Sequence, residues 1–510
     1  MADVALGTAG SIRVTQRSGR WVLLATVLGS SMAFLDSTVV NVALPTIGKQ
    51  LGASLGGLQW TVSAYTLTLA GLILLGGALG DRLGRRRVFA WGVIWFAVAS
   101  AMCGLAPNIV TLIAARALQG VGGALLTPGS LAIIQATFAP DDRARAVGAW
   151  SGLGGVAGAI GPFLGGWIVE AAGWRWVFLL NLPLAAVVLA VAIRHVPESS
   201  DPSAHGRFDV VGAALAALAL TGITYALIQA SGHGAAVGVA TAAVVGILAG
   251  VGFVLTERRL GRSPQRVPPM VPLDVFASRQ FSAVNFVTFI VYGAFGGMLF
   301  LLVLQLQVVS GFSPIEAGTA LLPATLLMLL LSARAGALAQ RVGPRWPMTV
   351  GAALCAVGTL LMTRVGAHAS YLADVVPAVC VFGLGLSLVV APLTATVLAS
   401  ADVRHAGVAS GVNNTVARAA GLLAVAGLPL VVGLTGADYR RPAVFSSAFM
   451  TAMIICSALL AVAAVASAVL IDNDVLRPVS PLEPVPKPEC RVCCPVGAPP
   501  LETGARPVGR

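Results

Sequence analysis

Asp36 is the residue of this chain that most invites a chemical reading. It lies in the apolar run 21–44. About fifteen residues separate it from the start of that run, roughly 22 Å along a helix, which would place it in the middle or outer half of a membrane. A carboxylate at that depth is costly unless it is paired, hydrated or protonated, so it is suited to loading and releasing a proton. The alternative is a structural hydrogen bond between helices. Arg116, inside another apolar run, is the matching cation. Arginine does not give up its proton, so it cannot be the carrier, but it can tune a nearby acid. Either it pairs with Asp36 or it is a scaffold residue held by backbone carbonyls, and the sequence leaves both open. Arg418 is a further charge within a run; it either lines a cavity or reaches a membrane surface by snorkelling. Glu170, Glu316 and Asp374 fall near the ends of apolar runs and are expected to be solvated. Cys490, Cys493 and Cys494 offer three thiols without a neighbouring histidine, where a structural zinc takes four ligands, so no metal is expected. No nucleophile–base pair or nucleotide-binding loop is evident, which argues against an enzyme.

The elements that must position these residues follow from composition. Of 510 residues, 57% are apolar and only 10% charged, with mean hydropathy +0.89. Soluble domains carry about 25% charged residues, so this is an all-α polytopic membrane protein. Fourteen spans are expected, at about 21–44, 58–80, 88–106, 109–136, 145–170, 176–194, 209–231, 237–256, 279–309, 314–340, 347–366, 370–398, 406–434 and 444–471. The net charge of +12 does not point to nucleic acid, because the basic residues sit in turns between spans. With both termini on one side, the other side holds only Lys49, Arg175, Arg364, Arg440 and Arg441. The arginine-rich side is then cytoplasmic by the positive-inside rule. Cys103, Cys355, Cys380 and Cys456 lie within spans and are expected to pack as small hydrophobes.

A short charged turn, Gly77-Ala78-Leu79-Gly80-Asp81-Arg82-Leu83-Gly84-Arg85-Arg86-Arg87, follows span 2. It returns after span 10 as Gly336-Ala337-Leu338-Ala339-Gln340-Arg341-Val342-Gly343-Pro344-Arg345. Two related halves facing the same way are implied, with spans 7 and 8 inserted between them. The expected organisation is an N-terminal segment 1–20, a six-helix half 21–194, an inserted helix pair with its linkers 195–278, a second six-helix half 279–471 and a disordered cytoplasmic tail 472–510.

Two six-span halves with this turn resemble the major facilitator superfamily. Further motifs resemble its fourteen-span drug:proton antiporter branch: Leu35-Asp36-Ser37-Thr38 through Pro45, Leu58-Gln59-Trp60 with Tyr65, Arg116-Ala117-Leu118-Gln119-Gly120-Val121-Gly122, Gly161-Pro162-Phe163-Leu164-Gly165-Gly166, Trp174-Arg175-Trp176 with Asn181 and Pro183, and Ser310-Gly311-Phe312-Ser313-Pro314. The resemblance covers nearly all of 21–471. It departs from the pattern at Ala157, where glycine is common, and at Gln340, where the acid is lost from the second turn. No second acid deep in a span matches those that some members use for cationic drugs.

The resemblance implies a proton-driven exporter of small amphipathic compounds, without cofactor, working as a monomer in the plasma membrane by alternating access. Asp36 and Arg116 would couple protons. Gly77, Asp81, Arg82, Gly84 and Arg85 would form a cytoplasmic latch against the start of span 13. Gly158, Gly161, Pro162, Gly165 and Gly166 would let span 5 seal against the second half. Phe34, Asn41, Trp60, Tyr65, Asn413 and Arg418 would line the substrate cavity. A dedicated exporter of one metabolite or antibiotic is the nearest alternative; a membrane-embedded sensor would be a different class.

Overall fold

The computed structural model describes residues 12–200, 209–231, 235–262, 269–400 and 406–476. The tail cysteines Cys490, Cys493 and Cys494 lie outside these residues. Fourteen helices among the described residues are long and apolar enough to cross a membrane. They are α1 (Arg17–Gln50), α2 (Leu55–Leu83), α3 (Arg85–Gly104), α4 (Ile109–Thr137), α5 (Pro140–Ala171), α6 (Arg175–His195), α7 (Val210–Ser231), α8 (Ala236–Arg262), α9 (Arg279–Val309), α10 (Pro314–Val342), α11 (Arg345–Arg364), α12 (Tyr371–Ala399), α13 (Ala406–Val431) and α14 (Pro442–Leu470). Several run past the expected spans. α1 starts at Arg17, inside the segment expected to precede the first helix, and continues to Gln50. Hydropathy marks where a helix leaves hydrocarbon, whereas the backbone ladder continues into the polar layer.

Helix ends are set by short capping sequences. Ser54 accepts from Gly57 N and Asn108 from Thr111 N, and Ser313 and Glu316 form a reciprocal capping box. Each satisfies donors that a helix start leaves bare. Glu316 is thereby a cap, as is Asp374, which accepts from Ser370 N at 2.8 Å.

Within the first six helices α2 packs on α4, α4 on α3, α1 on α5 and α6, and α3 on α6. The last six repeat the pattern: α10 on α12, α12 on α11, α9 on α13 and α14, and α11 on α14. The charged turns occupy equivalent places. Gly84, φ 106°, and Gly343, φ 87°, are each in the left-handed region and reverse the chain between helices. Each turn is tied to the segment after the sixth helix of its own half. Glu198 accepts from Arg86 N at 3.0 Å, and Asn473 accepts from Arg345 N at 3.2 Å. Glu198 also stands within 4 Å of the Arg86 and Arg87 guanidinium groups. A Cβ on Gly84 would collide with the Glu198 carboxylate as well as strain the backbone. Gly84→Ala is therefore expected to cost about 1–3 kcal/mol and to lower the yield of monodisperse protein several-fold in detergent. Gly80→Ala, where the nearest neighbour is 4.0 Å away, should be close to neutral, and equal losses from both would remove the reason given for Gly84.

The inserted pair is not peripheral to both halves alike. α7 packs on α2 and on α13, one helix from each half, and α8 packs on α7. Gly222 and Gly246 let the α7 and α8 backbones touch. The outer face of α8 exposes Val237, Ile247, Leu248 and Val251, an apolar surface that suits lipid.

The halves meet at the arginine-poor end. There Leu55 N donates to Gly436 O, the Tyr439 hydroxyl to Ala53 O, and Arg440 Nη2 to Gly48 O and Ala53 O, at 2.8–3.0 Å. Gln59 Nε2 donates to Val425 O at 2.8 Å, and Gln307 Nε2 to Val42 O at 2.9 Å. Gly166 of α5 lies against the backbone of Pro314 and Ile315, and Gly318 of α10 against that of Pro162 and Phe163. Among the described residues every hydrogen bond between the halves is at this end. Nearer the arginine-rich end a Cβ on Gly148, Gly152 or Gly158 of α5 would meet nothing within 4 Å.

Candidate functional site

Arg116 and Gln119 are one turn apart on α4, so both project toward the same side. The glycines that follow them bring α4 close to its neighbours. A Cβ at Gly120 would strike Tyr65 O and Thr68 Oγ1 of α2, and one at Gly122 would strike the Phe96 backbone of α3. This approach carries the Arg116 side chain between α2 and α1, where Asp36 waits.

Arg116 Nη1 donates to Asp36 Oδ2 in a short ion pair, with the two side chains 1% and 0% exposed. Further hydrogen bonds hold both groups. Arg116 Nη1 also donates to Gln119 Oε1 at 2.7 Å, and Arg116 Nε to Thr61 O at 3.0 Å. Asp36 Oδ1 accepts from Gln119 Nε2 at 2.8 Å and from Asn181 Nδ2 at 3.4 Å. Ser100 Oγ accepts from Gln119 and Asn181 and donates to Phe178 O. The guanidinium lies over the Tyr65 ring at 4.3 Å and the Phe178 ring at 5.7 Å. Five helices, α1, α2, α3, α4 and α6, thus meet on one buried carboxylate–guanidinium pair. Such a pair is costly to desolvate and more costly still to break by removing one partner. Removing the charge from Asp36 would leave Arg116 with neutral acceptors alone.

Between the halves lies a cavity of about 170 Å³. α1 contributes Ser37 and Asn41, α2 Ser63 and Thr66, α9 Tyr292 and Phe295, and α13 Arg418. It sits just beneath the closed end, since Val425 lines it and also accepts from Gln59. Of the residues expected on its wall, Asn41 and Arg418 are there. The others are placed elsewhere. Tyr65 is buried under Arg116 and donates to Ala33 O at 3.3 Å. Trp60 packs on Tyr225 of α7, with ring centroids 6.2 Å apart. Phe34 neighbours Gly154 of α5. Asn413 donates to Asn285 Oδ1 and Thr288 Oγ1 of α9. Sequence reasoning did not single out Tyr292, Ser63 or Gln59's grip on α13.

In the charged turn Asp81 pairs with Arg85 at 2.8 Å. Gly77 rests against Pro128 of α4. Asp81 is expected to face the start of α13, which begins at Ala406; residues 401–405 before it lie outside the described residues. In α5, Gly161 abuts Thr38 and Gly165 abuts Val39 of α1, Pro162 meets Gly318 of α10, and Gly158 faces open space.

The family model of the Major Facilitator Superfamily matches residues 26–425. The chain belongs to this superfamily. As a member it is a multi-pass membrane transporter of small molecules and not an enzyme. Its relatives include the probable actinorhodin transporter of Streptomyces coelicolor, 35% identical over 82% of this chain and 74% of that protein. The tetracenomycin C resistance and export protein of Streptomyces glaucescens is 35% identical, over 80% and 75% of the two chains. The multidrug resistance protein Stp of Mycobacterium tuberculosis is 36% identical, over 76% and 71%. Among solved structures, the transporter's fold is shared with the POT family transporter PepTSo, at TM-score 0.63 and 16% identity over 88% of this chain and 97% of that one. It is shared too with a bacterial homologue of the lysosomal transporter Spinster in an inward-facing, unoccupied conformation, at TM-score 0.60 and 18% identity over 89% and 97%.

Proposed function

We propose that this transporter exports small amphipathic compounds in exchange for protons. It does so as a monomer in the plasma membrane, with its arginine-rich face and both chain ends in the cytoplasm. The observation that carries the coupling is the sealed Asp36–Arg116 pair, in which one proton on the carboxylate would remove the counter-charge of the guanidinium. The concentration of arginine on one face supports the orientation. In that orientation the end where the halves are bonded is external, and the conformation is open to the cytoplasm. A compound entering from the cytoplasm meets the cavity between α1, α2, α9 and α13. After the halves rock to open outward, a proton from outside neutralises Asp36 and favours the return.

The relatives named for drug resistance or antibiotic export support the export direction. Names tied to single compounds, actinorhodin, tetracenomycin C and methylenomycin A, favour a second reading, a dedicated exporter. The test is a panel of amphipathic dyes and aromatic antibiotics on everted vesicles holding the wild-type protein. A compound that is carried should partly collapse an imposed proton gradient. A protonophore should stop its uptake into the vesicles, and ATP depletion at constant gradient should not. Uptake that follows ATP and ignores the protonophore would sink the proton-coupled reading. One carried compound among many would favour the dedicated exporter.

A further inference from the structure

We infer that the central cavity takes an anionic substrate, an amphipathic compound with a carboxylate, sulfonate or acidic phenol whose charged end docks on Arg418. This rests on reading the cavity as the substrate site. Among the described residues the polar lining consists of neutral groups, the Ser37, Ser63 and Thr66 hydroxyls, Asn41 and Tyr292, with Arg418 as the one charged lining residue and no Asp or Glu. The nearest intramembrane acid of the first half, Asp36, is already held by Arg116, Gln119 and Asn181. Arg116 has the Asp36 carboxylate as its counter-ion, whereas Arg418 makes no hydrogen bond or ion pair with the described residues, and its Nε is shut away from solvent without an acceptor.

A guanidinium left this way inside a protein is unfavourable, and nothing in the packing explains why it is there. A substrate anion supplies what is missing. The planar fork of arginine suits a carboxylate or sulfonate, which can accept two parallel hydrogen bonds. A cationic compound would meet an uncompensated positive charge and no acid to offset it. The volume agrees with this division of labour. Drug-sized ligands fill roughly 300–1,000 Å³, so a cavity of about 170 Å³ holds the polar end, with Phe295 and Tyr292 beside it, while the apolar body extends toward the open side.

Three probes with one fluorophore test this: dansylglycine (anionic), dansylamide (neutral) and dansylcadaverine (cationic). Binding is measured on purified protein in nanodiscs, and uptake in everted vesicles with a proton gradient. The wild type should bind dansylglycine about tenfold or more tightly than dansylcadaverine, the scale of one charge-assisted hydrogen-bonded contact. Arg418→Gln should remove that preference while leaving dansylamide binding within about twofold, and Arg418→Lys should keep part of it. The inference fails if the wild type binds dansylcadaverine as well as dansylglycine, if it does not bind dansylglycine, or if Arg418→Gln weakens all three alike. Charge-selective binding without energised uptake would instead sink the exporter reading and leave this one standing.

Discussion

Replacing Asp36 by Asn is expected to abolish uphill efflux, a fall of at least about 100-fold, while leaving downhill exchange of substrate measurable. The loss of transport follows from the missing proton carrier; the separate stability cost of removing one partner of a buried ion pair is about 3–5 kcal/mol. Asn keeps the size of Asp and can still accept from Arg116, but it cannot alternate between charged and neutral. The variant also leaves the Arg116 charge without a counter-ion among Gln119, Thr61 O and two aromatic rings. Some loss of stability is therefore expected, and a second variant separates it from coupling. The pair Asp36→Asn with Arg116→Gln contains no stranded charge and should recover thermal stability. It should not recover uphill transport. Efflux against a gradient by Asp36→Asn, still stopped by a protonophore, would show that the proton travels by another group.

Much of the fold was legible because lipid leaves few options. Spacing between apolar runs, the repeated charged turn and the basic residues on one face are enough for fourteen helices in two related sets. The faces of those helices were harder. In water a polar face marks solvent, but here helices such as α9 and α12 are apolar all round and give no such mark. Trp60 and Tyr65 were expected on the cavity because they are aromatic and lie in the right stretch of α2. At about 100° per residue, Trp60 points roughly opposite to Val62, which lines the cavity, and so reaches α7. Tyr65 is turned to α4 because Gly120 and Gly123 leave room there. The partners of the charged turn were invisible for another reason. Glu198 and Asn473 are more than a hundred residues from Arg86 and Arg345, and nothing local distinguishes them from other linker residues.

The position of the Asp36–Arg116 network raises a mechanical question, since it lies wholly within the first half and the cavity lies between halves. α2 offers a connection. Arg116 holds the Thr61 carbonyl, and Gln59, two residues away, holds the Val425 and Ala426 carbonyls of α13. Ser63 and Thr66 of the same helix line the cavity. A shift of α2 on protonation of Asp36 would therefore act on the cavity wall and on the bond between halves together. The closed end must then release as a unit, which puts weight on the contacts between α5 and α10.

Those contacts set the second large effect, which comes from a single methyl group. At Gly166 an added Cβ would run into Pro314 O and Ile315 Cα, and at Gly318 into Pro162 O and Phe163 Cα. All four are backbone atoms, which cannot swing aside as a long side chain can. Overpacking of this kind costs about 1–3 kcal/mol, enough to move the balance between closed and open at this end by roughly 5- to 150-fold. Gly166→Ala and Gly318→Ala are expected to hold the arginine-poor end ajar, to raise passive proton leak and to lower energised efflux about tenfold or more. Gly158→Ala meets nothing within 4 Å and should leave this end closed. The reporter is Ala53→Cys in a protein whose native cysteines are replaced by serine. Ala53 is buried at this end, where its carbonyl accepts from Tyr439 and Arg440. An impermeant maleimide applied to intact cells should label this cysteine slowly in the parent and in Gly158→Ala, and much faster in Gly166→Ala and Gly318→Ala. Equal labelling in all four, with transport lost in the α5–α10 variants, would mean that those glycines serve assembly of the helices and not the opening of the external seal.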